Sequence, residues 1–295
     1  MKHTTVIDTV GIQINCYTHS RQVEVVKELI DFIDDIESLH VNYKDYRVGI
    51  TTITTRVYFI HYKRSTVATI STSTYVSMSR KAMYPTVYCI KVKFAGLRSY
   101  HAPYDKASKE FLYEMCSYLN RWKIEFKLTE LDIAIDTECH FNNILAICTK
   151  KAPRIKYHSL IDKQAYVKTF YIEKLAKDKF KKATRRAYVY DKSEKEKLSS
   201  QITRFELKLQ RIFFNRHGAS VKAIEKSLAN YCVMYFKDIN KKQAMIEADY
   251  SYTGLPKDKI RKLGMAQYRL KPDIEVIEEF LKEMHIPLHP PLKRV

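Results

Sequence analysis

Apolar and polar residues alternate in one short run after another along the first two thirds of the chain, the period-two pattern of half-buried strands. Val6 to Cys16 puts Val10, Ile12, Ile14 and Cys16 on one face, with Asp8 at the head of the same row. Gly11 is a candidate bulge that would change that parity. Arg21 to Leu39 changes to helical spacing, with Val26, Leu29, Ile30, Ile33 and Ile36 recurring and Asp31, Asp34, Asp35 and Glu37 on the wet side. Strand-like runs rich in Thr, Tyr and Val follow at Tyr46 to Thr54, Arg56 to Tyr62, Thr66 to Ser71 and Thr86 to Phe94. Asp105 is the expected N-cap of a helix reaching Trp122, whose stripe is Phe111, Leu112, Met115 and Leu119.

The next strand, Phe126 to Asp136, alternates cleanly from Leu131 onward. Leu131, Ile133 and Ile135 face one way; Glu130, Asp132, Ala134 and Asp136 face the other. Two carboxylates at i and i+4 on one face repel each other unless cations or hydrogen-bond donors intervene. Either a divalent ion relieves that repulsion or Lys and Arg of a neighbouring strand do. Asn142 to Thr149 reads as a short helix. Two further strands, Arg186 to Lys192 and Ile202 to Leu209, are the ones around which the chain is organised. Arg186, Tyr188 and Tyr190 share a face of the first. Arg204, Glu206 and Lys208 share a face of the second, opposite Thr203, Phe205, Leu207 and Leu209. Paired, the strands bring phenols, a carboxylate and cations to one surface.

Beyond Gly218 the pattern turns helical, over Ser220 to Phe236, from Pro256 through Leu263, and over Ile274 to Met284 with Asp273 as cap. The expected architecture is α+β, mainly antiparallel sheet with packed helices. It divides into an α+β part at residues 1–216 and a helical C-terminal region at 217–295.

Composition narrows the partner. Across 295 residues, 52 Lys and Arg stand against 33 Asp and Glu, a formal charge of +19. A protein this basic faces a polyanion, and 22 Tyr with 13 Phe supply the rings on which bases stack. Lys177, Lys179, Lys181, Lys182, Arg185 and Arg186 cluster just before the tyrosine strand, where they suit phosphate. The six cysteines form no CxxC pair and the chain enters a strand directly after Thr5, so reduced thiols in a cytoplasmic protein are expected. No apolar run approaches the ~20 residues that span a bilayer, and no membrane partner is expected. Walker, dinucleotide, nucleophile-elbow and HEXXH motifs are absent, and six glycines leave little for phosphate loops. His61 lacks a partner two residues away, so the paired-histidine signature of one class of nicking enzymes is missing. Any metal would take mainly carboxylate oxygens, which suits Mg²⁺ or Mn²⁺.

Tyr188-Val189-Tyr190-Asp191-Lys192 followed by Arg204-Phe205-Glu206-Leu207-Lys208 resembles the YDK…RxE block of the replication initiation factor family. These are rolling-circle initiators of small plasmids and filamentous phages that lack the paired histidines. Glu130 to Asp136 resembles the family's R-hydrophobic-D-hydrophobic-A-hydrophobic-D strand, with Glu130 where an Arg is common, and Val6 to Val10 resembles its opening strand. The matches run in family order across residues 6 to 210; the C-terminal part has none.

The resemblance implies a DNA nicking–joining endonuclease acting at a replication origin on single-stranded or supercoiled DNA. Tyr190 would be the nucleophile, with Tyr188 in reserve, leaving a 5′-phosphotyrosine and a free 3′-OH. It further implies a divalent ion, Mg²⁺ or Mn²⁺, on Asp132 and Asp136, then Glu206 and Asp8. Lys181, Lys182, Arg185, Arg186, Lys192 and Arg204 would hold phosphates, and a host helicase and polymerase would be partners. The residues alone also admit a non-catalytic DNA-binding protein, such as a repressor or origin-binding module, or an RNA-binding or structural protein.

Overall fold

The computed structural model describes residues 2–47, 54–75, 87–149, 155–161, 167–174, 185–237 and 269–286. The chain is α+β, with antiparallel strand pairing and six helices among the described residues. It forms two compact units, one chiefly Asp8–Glu130 and the other chiefly Leu131–Phe280 with Met1–Ile7. No helix among the described residues is long and apolar enough to cross a membrane.

The N-terminal unit is built on β1 (His3–Cys16), β2 (Leu39–Arg47), β3 (Thr54–Tyr62), β4 (Ser65–Tyr75) and β5 (Val87–Ala95), in the order β2-β3-β4-β5-β1. Its core face is Ile12, Ile14, Ile60, Ile70, Ile90, Val92 and Phe94, all buried. Helix α1 (His19–Asp34) starts where Thr18 accepts a hydrogen bond from Arg21 N–H at 3.1 Å and buries Val25, Val26, Leu29 and Ile33. Gln22 on the same helix is buried, and its amide donates to the Cys89 carbonyl at 2.8 Å, which meets its polar requirement inside the core. Helix α2 (Ala102–Arg121) lays Phe111 against Phe94, ring centroids 5.4 Å apart.

Two local expectations change here. Asp105 does not cap α2. It lies inside the first turn, buried, and accepts from the Ser99 and Tyr100 backbone N–H groups at 2.7 and 3.0 Å, while Pro103 occupies the first turn, where its missing N–H costs nothing. Gly11 makes no bulge: β1 pairs with β5 without interruption from Thr9↔Ala95 to Cys16↔Tyr88. Glycine stands there because of close approach. A Cβ would lie 2.8 Å from Cβ of Glu130, on strand β6 (Phe126–Thr137).

The C-terminal unit carries β8 (Ile155–Ile161), β9 (Val167–Lys174), β10 (Arg185–Asp191) and β11 (Thr203–Gln210), in the order β6-β11-β10-β9-β8. A second sheet, β13-β12-β7, joins β7 (Ile144–Cys148), β12 (Tyr231–Tyr235) and β13 (Arg269–Leu270). Phe205 of β11, buried, meets Tyr231 of β12 with centroids 5.9 Å apart.

Both β7 and β12 lie in stretches expected to be helical. Asn142 to Thr149 opens with a 3₁₀ turn at Phe141–Asn143, and then Ile144–Cys148 are all buried. A short continuous apolar run does not distinguish helix from strand by period. Ser220 caps α5 (Val221–Leu228) as the pattern suggests, but the helix stops at Leu228, and Tyr231–Tyr235 pairs with β7. Its aromatic and β-branched content prevails there. Helices α3 (Lys192–Glu196), α4 (Arg211–His217) and α6 (Ile274–Glu283) complete the described elements, and Asp273 accepts from Glu275 N–H at the start of α6. The expected helix from Pro256 to Leu263 and residues 48–53 of the Tyr46 to Thr54 run lie outside the described residues.

Candidate active site

Strands β10 and β11 pair as their alternation predicts: Tyr188 lies opposite Glu206, Tyr190 opposite Arg204, and Arg186 opposite Lys208. Cross-strand partners present their side chains on one face. Glu206, buried, sits between the two phenols. Tyr188 donates its hydroxyl proton to Oε1, and Tyr190 donates to Oε2 at 3.1 Å. The tyrosine rings are stacked with a 28° tilt, centroids 5.7 Å apart, and Tyr171 of β9 extends the row, 5.8 Å from Tyr188. Lys195 of α3 stands over the Tyr190 ring at 5.0 Å.

The two aspartates of β6 face this row, and each meets a cation of β11. Arg204 binds Asp136 through two nearly parallel bonds, Nε to Oδ1 at 2.6 Å and a terminal nitrogen to Oδ2 at 2.7 Å. That pair is wholly buried, at 0% and 2% side-chain exposure. Lys208 reaches Asp132 Oδ2 at 2.8 Å. The i, i+4 spacing of the acids is thus answered by the i, i+4 spacing of Arg204 and Lys208. Ala134 lies between the two aspartates on the same strand face.

Burial raises the Tyr188 phenol well above its ordinary range. The carboxylate of Glu206, its hydrogen bond to the phenol, and the charge of Asp132 push it further. Tyr188 therefore holds its proton and serves Glu206 as a donor.

Asp191 caps α3, accepting from Glu194 N–H at 2.9 Å, and Lys192 is buried against Glu196 at 2.9 Å. Lys192 and Arg204, both expected on phosphate, are thus found inside the fold on carboxylates. Arg186 is exposed. Arg185 lies in β10, and Lys181 and Lys182 fall outside the described residues. Asp8 is buried in the N-terminal unit, where its carbonyl accepts from Leu97 N–H at 2.9 Å. Lys208 was not among the expected site residues, although its spacing from Arg204 mirrors the aspartates. The cap at Asp191 was also readable, since Asp191-x-x-Glu194 has capping-box spacing.

As a metal site the arrangement fits in part. Asp136 commits both oxygens to Arg204, and Glu206 commits both to phenols. Among the described residues no group of three or more His, Cys, Asp or Glu is placed to hold a metal. Asp132, whose Oδ2 meets Lys208 at 2.8 Å, is a carboxylate that could hold Mg²⁺ or Mn²⁺, which takes one or two carboxylates beside phosphate oxygens.

No family model matches the chain, and no curated protein matches it. Among solved structures the chain is similar to a rolling circle replication initiator protein from Geobacillus stearothermophilus, at 11% identity and a TM-score of 0.42, over 99% of this chain and 100% of that one.

Proposed function

We propose that the protein is a rolling-circle DNA replication initiator that nicks one strand by transesterification, with Tyr190 as nucleophile. The observation that carries this reading is one buried carboxylate, Glu206, hydrogen-bonded to two neighbouring phenols beside the Asp132–Lys208 pair. A phenol with an ordinary pKa near ~10 must lose its proton as it attacks. Glu206 Oε2, which accepts from Tyr190 at 3.1 Å, would take the Tyr190 proton, while Tyr188, held protonated, would keep the other oxygen oriented. The bond from Tyr190 Oη to phosphorus forms, the bond from phosphorus to the 3′ oxygen breaks, and that oxygen leaves, taking a proton from solvent to become the 3′-OH. Lys208 and Arg186 are the cations on this face that would meet the phosphate. Asp132 would hold a Mg²⁺ or Mn²⁺ ion, whose chemistry is to stabilise the charge developing on the phosphate.

The partner is DNA at a replication origin, with host replication proteins downstream. The test is conversion of supercoiled plasmid carrying the origin to open circles in Mn²⁺. Nicking by the parent, and none by Tyr190→Phe, is the expected result. Binding without nicking by the parent would favour the non-catalytic binder, a reading that the ion-paired state of Asp136 also suits.

A further inference from the structure

We propose that the open face of the N-terminal sheet binds single-stranded DNA, on a scaffold that repeats that of the nicking unit; the proposal deepens the DNA-nicking reading above. The two units share a connectivity. Each begins a strand, β1 or β6, and later lays down four consecutive strands, the last of which returns beside the first: β2-β3-β4-β5-β1 and β8-β9-β10-β11-β6. A helix follows the last strand in both, α2 after β5 and α4 after β11. Each sheet has one apolar packed face, marked by Phe94 against Phe111 in one unit and by Phe205 against Tyr231 in the other. The opposite face of the C-terminal unit carries the phenols, Glu206 and the aspartates.

On the N-terminal unit the corresponding face has different chemistry. Cross-strand pairing puts Phe59, Thr69 and Lys93 in one row, and Lys44, Val57, Ser71 and Lys91 in the next. These side chains are half-buried or exposed. The rows present ammonium groups, hydroxyls and one aromatic face, and lack the acid–phenol set that performs chemistry. Lysine and hydroxyl donors hold phosphates, and an aromatic ring among them offers a stacking platform for an unpaired base, as single-strand binders use. An acidic neighbour is Glu130, whose carboxylate takes Lys93 at 2.8 Å while Lys93 remains 43% exposed. A phosphate would replace Glu130 on that lysine.

The experiment measures binding of the full chain to a dT oligonucleotide of about 30 nucleotides, several site sizes long, across a salt series. Lys91→Gln/Lys93→Gln should bind about tenfold more weakly, with the log–log salt slope shallower by about 1.4, two single-strand phosphate contacts. Glu130→Gln should bind more tightly than the parent, an outcome that misfolding does not mimic. Neither variant alters the Tyr190 site, so adduct formation on an oligonucleotide confined to the nick site should be unchanged. Parent-like binding by both variants overturns the proposal, as does a change seen only on duplex. A parent that binds dT through these lysines but never forms an adduct would sink the nicking reading and leave this surface standing. A parent that binds no single strand would sink the surface.

Discussion

Asp136 poses the sharpest question about the candidate site, because its carboxylate is either structural or catalytic. Removing one partner of a buried ion pair leaves the other charge uncompensated, at a cost of about 3–5 kcal/mol. The Arg204–Asp136 pair belongs at that end, with two short charge-assisted bonds and side chains 0% and 2% exposed. Asp136→Asn keeps the volume but strands the guanidinium; Arg204→Met strands the carboxylate. Each should lower the urea midpoint by about 1–1.7 M, taking a denaturant slope near ~3 kcal/mol/M for a chain of this size. Asp136→Leu/Arg204→Met removes both charges and should recover most of the loss, with a coupling of at least ~2 kcal/mol in the double-mutant cycle. The assay is equilibrium urea unfolding, followed by DNA nicking on each variant that folds. Single variants within ~1 kcal/mol of the parent, with additive effects, would refute the pairing. A stable Asp136→Asn that no longer nicks would make Asp136 part of the chemistry.

Other predictions follow from particular contacts. Gly11→Ala should cost about 1–3 kcal/mol in thermal unfolding, because its Cβ would lie 2.8 Å from that of Glu130; a parent-like melting temperature would contradict that close approach. Duplex DNA binding by the +19 chain should follow a log–log salt slope near about −5 for roughly six neutralised phosphates, and a slope near zero would remove nucleic acid as partner. Burial lifts the Cys116 thiol to about 12, so alkylation at mild alkaline pH should label half-exposed Cys139 first and Cys116 only on unfolding. The same shift favours the folded state below the ordinary thiol value near ~8.5, and that contribution is lost as pH rises towards about 12. Equal labelling rates at the two cysteines would contradict the burial.

The strand pair bearing the tyrosines was legible down to which residues share a face, because alternation is a local property and both strands have one apolar side. Helix α1 and the cap at Asp273 were legible for the same local reason. Asp132 and Asp136 were seen to face together, but what neutralises them depends on which strand lies next to β6, and no local pattern states that. The burial of Arg204 and Lys192 was hidden too, since a cation in a basic chain reads as surface until its carboxylate partner is found. Strands β7 and β12 were missed because five-residue apolar runs carry too little period, and their pairing is long-range.

The measurement that tests the central claim most directly is peptide mapping of the covalent protein–DNA adduct. The chain is incubated with single-stranded origin DNA and Mn²⁺, digested, and the DNA-linked fragment is sequenced. The account predicts one link, at Tyr190, absent from Tyr190→Phe and retained at reduced level in Tyr188→Phe, where Glu206 loses an orienting donor. A link at Tyr188 or at any tyrosine outside β10, or no adduct at all with active origin DNA and metal present, would contradict it.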